Sequence, residues 1–171
     1  MSWKTSLAAS LVLVSLAGVA GTADAQSRSR VEVTQNGRDN SLAGRFNGRF
    51  NRADLRQRGD RQALSVIQQG LRNAIETRQR GRDNTASASQ SGALNQILMH
   101  QFGSDLTGSV YQSGNGNLVG VAQIGEGHTA TTVQEGNNNI LGVIQIGSGQ
   151  HTTYHQIGDG NADIVVQFGW D

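Results

Sequence analysis

From Gln35 onward, Gln-x-Gly recurs at intervals of eleven residues. Thirteen positions fall on this count, and twelve of them are glutamine: Gln35, Gln57, Gln68, Gln79, Gln90, Gln101, Gln112, Gln123, Gln134, Gln145, Gln156 and Gln167. Phe46 is the exception. Two residues later stands a glycine in every case: Gly37, Gly48, Gly59, Gly70, Gly81, Gly92, Gly103, Gly114, Gly125, Gly136, Gly147, Gly158 and Gly169. No insertion breaks the count. A fixed period requires each copy to occupy the same environment as the last, which restricts the chain to repeat architectures.

Two architectures accommodate a period of eleven. A right-handed coiled coil is one. It would set a glycine into every third turn, at about 1 kcal/mol each against alanine, and it needs apolar residues at helical spacing. The sequence alternates with period two instead. Asn117, Val119, Val121 and Gln123 fall on one face, and Asn139, Leu141, Val143 and Gln145 repeat that face. Alternation over about seven residues, closed by glycine-containing segments of about four, predicts a strand and a turn.

A second period lies over the first. Six residues before alternate glutamines stand Asn51, Asn73, Asn95, Asn117, Asn139 and Asn161. The intervening set is mixed: Asn40, Gln62, Asn84, Leu106, His128 and Gln150. Two strand classes alternate, so the stacking unit is two elevens, a coil of twenty-two. The expected fold is all-β: a parallel β-solenoid of two sheets face to face, its coils about 4.8 Å apart. Each glutamine and asparagine is expected to lie over its counterpart in the next coil and to satisfy its amide by self-stacking, while glycine lets the chain turn. The predicted core is small and aliphatic: Val31, Val33, Leu55, Leu64, Val66, Ile75, Ile97, Met99, Val110, Val119, Val121, Leu141, Val143 and Val165. Asp163 falls in the inward set, where a carboxylate is costly. It is expected to fray or shift the last strand, or to guard the terminal edge.

The motif Gln-x-Gly-x-x-Asn-x-(small or aliphatic)-x-x-x-Gln, as in "QSGNGNLVGVAQ" (Gln112 to Gln123) and "QEGNNNILGVIQ" (Gln134 to Gln145), resembles the curlin repeat of bacterial curli. "QSGALNQILMHQ" and "QRGRDNTASASQ" follow the same pattern, and the resemblance covers most of the chain beyond Ala25. It implies an amyloid-forming subunit of extracellular curli fibres, the pilus-like or fimbrial threads of biofilms and cell adhesion. It further implies export through an outer-membrane channel and assembly with a second curlin-repeat subunit. Phe46, Leu106, His128 and Asp163 depart from the pattern.

Composition agrees with a paired, repetitive chain. There is no proline, which would remove a ladder donor, and no cysteine, which excludes disulfides and thiolate chemistry. Residues 1–25 carry Lys4, an apolar run and Ala23-Asp24-Ala25, the signature of a secretory signal peptide. Residues 26–34 then form a lead-in strand, and 35–171 the solenoid. Charge divides the solenoid. Residues 27–82 hold 13 arginines and 5 acids, whereas 83–171 hold 7 acids and no Lys or Arg. The Arg-rich coils, to about residue 83, are expected to be guarded against edge pairing. The Arg-free coils, 84–171, are the expected amyloid driver.

The outward positions differ between sheets. Leu118, Ile124, Ile140, Ile144, Ile146, Ile164, Val166 and Phe168 make a contiguous apolar face, suited to lateral contact with another filament, a partner or a surface. Thr85, Ser87, Thr107, Ser109, Thr129, Thr131, His151 and Thr153 form a hydroxyl-rich column. Glu32, Asp54 and Glu76 form an acidic column flanked by Arg30, Arg52, Arg56 and Arg78, with diagonal pairs expected to offset the stacked charge.

No catalytic constellation emerges. His151 and His155 share a face, but four strand residues separate them by roughly 13 Å, too far to chelate one ion. The Gly-x-Gly turns lack the lysine and helix of a phosphate loop. Neither a cofactor nor a metal is expected. The arginines are interleaved with acids and lack an aromatic stacking platform, so specific nucleic-acid binding is not expected. Two functions stand: a structural fibre subunit, with the charged N-terminal coils and apolar face favouring the minor, nucleating role over the bulk one, and a soluble solenoid that binds ice, glycan or an anionic polymer.

Overall fold

The computed structural model describes residues 10–17, by backbone alone, and 29–169. The described chain is all-β and winds as a parallel β-solenoid. The even sheet stacks β2 (Arg30–Asn36), β4 (Arg52–Asp60), β6 (Ala74–Arg82), β8 (Gln96–Ser104), β10 (Leu118–Glu126), β12 (Ile140–Ser148) and β14 (Ala162–Gly169). The odd sheet stacks β1 (Ser10–Ala17), β3 (Asn40–Arg49), β5 (Ala63–Leu71), β7 (Thr85–Ala93), β9 (Thr107–Asn115), β11 (Thr129–Asn137) and β13 (His151–Ile157). From β2 onward each strand lies parallel to the next but one in the chain, Gln over Gln and Gly over Gly, as in Gln123 opposite Gln145 and Gly125 opposite Gly147. The coil is therefore two elevens.

Two features differ from the seven-plus-four division. Most strands run nine residues, because the Gln-x-Gly segment stays in the ladder. The glycine is thus required within a strand end rather than in the reversal itself. At Gly81 φ is +128°, and a Cβ there would lie 1.8 Å from the carbonyl oxygen of Gly103 in the next coil. The chain reverses two residues later, at a column of left-handed residues four after each glutamine. Eight of these are not glycine: Asp39, Phe50, Arg61, Arg72, Asp83, Leu94, Asp105 and Asn138, with φ between 54° and 59°.

The space between the sheets is filled from alternate positions. Val33, Leu55, Leu64, Val66, Ile75, Ile97, Met99, Val110, Val119, Val121, Leu141 and Val143 are buried, and Val31 and Val165 pack against them half-covered at the two ends. Leu42, Phe46, Leu106, Ala53, Ala86, Ala88 and Ala130 are also buried, with Thr77 and Thr132. These alanines and threonines share the inward parity and keep the sheets close.

Of the expected leader, Ser10–Ala17 forms β1 beside β3, with Ser10 opposite Asn40 and Ala17 opposite Asn47. That offset is longer than one coil, so β1 lies outside the register of the repeat. The rest of residues 1–25, and residues 26–28 of the lead-in, lie outside the described residues. Asp163 neither frays nor shifts its strand: it stands in register opposite Leu141.

Candidate assembly surfaces

The amide ladders come directly from this register. In the even sheet Gln35 donates from Nε2 to Oε1 of Gln57. The relay continues from Gln57 to Gln79 (2.8 Å), Gln101 (2.9 Å), Gln123 (2.8 Å), Gln145 (2.8 Å) and Gln167 (2.8 Å). In the odd sheet it runs from Gln68 through Gln90, Gln112 and Gln134 to Gln156, at 3.2, 2.7, 2.8 and 2.6 Å. The second N–H of an even-sheet glutamine crosses the interior to a backbone carbonyl, as Gln101 does to Thr85 at 3.0 Å.

Both ladders point the same way, each amide donating toward the C-terminal coil. The first member of each therefore lacks a donor, and the Oε1 atoms of Gln35 and Gln68 are buried with no hydrogen-bond partner. At Gln68 the cause is Phe46, which occupies the ladder position one coil earlier and is 2 % exposed.

The asparagines do not self-stack, contrary to expectation. Asn73 donates through Nδ2 to the carbonyls of Gln69 (2.8 Å) and Gly92 (2.9 Å), and its Oδ1 accepts the backbone N–H of Asn95 (3.0 Å). Asn51, Asn95, Asn117 and Asn139 bond likewise to backbone on two coils. Asn161 keeps its bond to Ile157. Position rather than side-chain length decides this: Gln62, in the same column, also donates to backbone, to the carbonyls of Arg58 and Gly81 at 3.0 Å each, because the turn places two carbonyls within reach. His128 reproduces the arrangement from an imidazole: Nε2 lies 3.1 Å from the carbonyl of Ile124, and Nδ1 accepts from the N–H of Gln150 at 3.2 Å. The proton is on Nε2 in this geometry. Leu106 offers neither contact.

The expected apolar face does face outward. Ile124, Ile140, Ile144, Ile164, Val166 and Phe168 are exposed, reaching 74 % at Ile164, and Leu118 and Ile146 are half-buried. On the odd sheet, Thr85, Thr107 and Thr153 are exposed, and Ser87, Ser109, Thr129 and Thr131 are half-buried. The charged columns are satisfied differently from the expectation. Arg56 meets Asp54 and Arg78 meets Glu76, each at 2.9 Å, and Arg30 meets Glu32 at 3.5 Å. These are partners two residues apart in one strand, whose side chains share a face. His100 to Glu76, at 3.2 Å, is the diagonal contact. At the turns Arg61 binds Asp83 of the next coil with two bonds of 2.6 Å. Those bonds lower the Asp83 carboxyl below its ordinary range and raise Arg61.

The terminal coil is more polar than the rest. Inward of β13 and β14 stand Thr152, Tyr154, Gln156, Asp163 and Gln167. Asp163 accepts from Nε2 of Gln156 at 2.8 Å. A hydrogen bond from the Tyr154 hydroxyl to the same carboxylate raises the Tyr154 pKa, with burial adding to it. Among the described residues no group of three or more His, Cys, Asp or Glu could hold a metal ion.

The family model of the curlin-associated repeat matches residues 81–114 and, again, residues 103–136. Residues 81–136 thus carry curlin-associated repeats. The second match starts at Gly103 where the first starts at Gly81, a shift of one coil of this curlin-repeat solenoid, and each match spans three strands with their glutamines. No curated protein and no solved structure matches the chain. The repeat family and the solenoid fold are structural rather than enzymatic, and the family supports a curli-type structural subunit.

Proposed function

We propose that this curlin-repeat chain is a subunit of extracellular curli-type amyloid fibres and that it grows them by templated strand addition. One observation carries the reading. The even sheet ends in open strands among the described residues, and its amide ladder has complementary ends: an orphaned acceptor at Gln35 and a terminal donor at Gln167. An incoming chain completes both, and leaves a new end like the old one.

The rest follows the sequence. Residues 1–25 act as the export leader, and an outer-membrane channel passes the mature chain to the cell surface. The Arg-rich coils delay edge pairing, and the Arg-free coils drive assembly. The ion pairs within β2, β4 and β6 support that division, since they keep charge on the outer face without neutralising the patch. The apolar face of β10, β12 and β14 makes lateral contacts in a biofilm matrix or on a surface to which cells adhere. An Arg-rich first half joined to an exposed apolar second half suits the minor, nucleating subunit, with a second curlin-repeat chain as its partner.

The test is seeding. Chain lacking residues 1–25 should form thioflavin-positive fibres with a meridional reflection near about 4.8 Å. At low molar ratio it should abolish the lag of a second curlin-repeat chain. Monomer persisting over days would contradict the reading and favour the soluble binding module.

A further inference from the structure

We infer that Asp163 gates the joint between copies, which the even sheet makes by seating β2 of a second copy on β14. The inference rests on the fibre reading above and names the joint's register and its obstacle.

The register follows from topology. Strands β2 to β14 begin and end in the even sheet, so head-to-tail copies meet there. Continuing the register of the repeat sets the newcomer's Gln35 on Gln167, Val33 on Val165 and Val31 on Asp163. The amides agree with this polarity. Nε2 of Gln167 bonds to the carbonyl of His151 and has a second N–H, while Oε1 of Gln35 is a buried acceptor without a donor. Charge agrees as well, because the arriving end carries the 13 arginines of residues 27–82 and the receiving half carries acids alone.

One position disagrees. The inward column through Val31, Ala53, Ile75, Ile97, Val119 and Leu141 is apolar until it ends in Asp163. An arriving Val31 would cover that carboxylate. Nothing inward on the surrounding strands offsets its charge. β12 presents Leu141, β13 presents Thr152, Tyr154 and Gln156, and the newcomer presents Val31 and Val33. His151 and His155 are exposed on the outer face of β13. Two neutral hydrogen bonds, from Gln156 and Tyr154, hold the carboxylate in the free end, but they do not replace its hydration once it is covered.

Sedimentation of purified chain and its variants tests this. Asp163→Leu, which repeats Leu141, is expected to lower the critical concentration for fibre formation at least 10-fold. Asp163→Asn, which keeps the shape and removes the charge, should lower it by a smaller factor. Asp159→Asn removes an exposed turn acid and should leave it within 2-fold. Fibres from all chains with Asp163→Leu and Asp163→Asn at or above the unsubstituted critical concentration would overturn the gate and leave the fibre reading standing. Equal drops for Asp159→Asn and Asp163→Asn would overturn it in favour of net charge. No fibres from any chain would overturn both readings.

Discussion

Nε2 of Gln101 lies 2.8 Å from Oε1 of Gln123 in the next coil, and both side chains are fully buried. Gln101 also accepts from Gln79 at 2.9 Å. Replacing Gln101 with leucine leaves Gln79 its bonds to the carbonyls of Ala63 and Asn84, but takes the only amide donor from Gln123. The expected loss is about 2 kcal/mol in denaturant unfolding, the cost of one stranded buried acceptor and its lost bonds. Gln101→Glu should lose more, roughly 3 kcal/mol or above, because a buried carboxylate would face the Gln123 oxygen.

Glycines on different columns should respond in opposite ways. Gly81→Ala drives a methyl into the Gly103 carbonyl at a positive φ, and should cost roughly 3 kcal/mol or more, or prevent folding. Gly120→Ala, at the centre of β10, meets nothing within 4 Å and should be neutral or stabilising by up to about 0.5 kcal/mol. Thermal or denaturant unfolding of the two variants compares them directly.

The left-handed column offers a gain. Leu94 holds φ +59° with 61 % of its surface exposed, so it bears the backbone strain with little packing in return. Leu94→Gly should stabilise the coil by about 1 kcal/mol in the same unfolding measurement. The same change at Phe50 should gain less, since Arg72 lies 5.7 Å from the Phe50 ring centre.

Tyr154 supplies a pH signature. Its hydrogen bond to Asp163 raises its folded pKa above the unfolded value. That contribution is complete below the ordinary tyrosine range near about 10 and is lost as pH rises through the folded value. Ultraviolet titration in a Tyr111→Phe background should show Tyr154 ionising later than a free tyrosine. Asp163→Asn should move that titration back toward the ordinary range.

The period-eleven glutamines made the coil length, the parallel register and most of the core legible in the sequence, because the asparagine before every second glutamine and the alternation at two are direct images of stacking and pleat. Recurrence does not say which atoms meet. Asn73 and Gln79 recur alike, yet Asn73 bonds to backbone and Gln79 to its own kind, a difference set by the turn carbonyls that lie beside the Asn73 column. The turn column was visible in part, since Asp39, Asp83, Asp105, Gly116, Gly127 and Asn138 recur four residues after glutamine and all tolerate φ above zero. Phe50 and Leu94 hid it, being residues that seldom take that conformation. His128 was legible as a departure. That an imidazole serves as an asparagine there depends on two donor–acceptor distances that no pattern carries. Asp163 was visible as an inward acid, but its partners Tyr154 and Gln156 follow from the opposing sheet.

Two-strand coils stacked in register underlie every contact described above, and a distance along one column measures this. Ala43 and Thr153 are exposed, share the outer face of the odd sheet and lie five coils apart. The chain has no cysteine, so a pair introduced at these two positions can be spin-labelled alone. Electron–electron double resonance should give a narrow distribution centred at about 24 Å, five strand spacings. A broad distribution, or a mean beyond about 35 Å, well past five such spacings, would contradict the stacked coil.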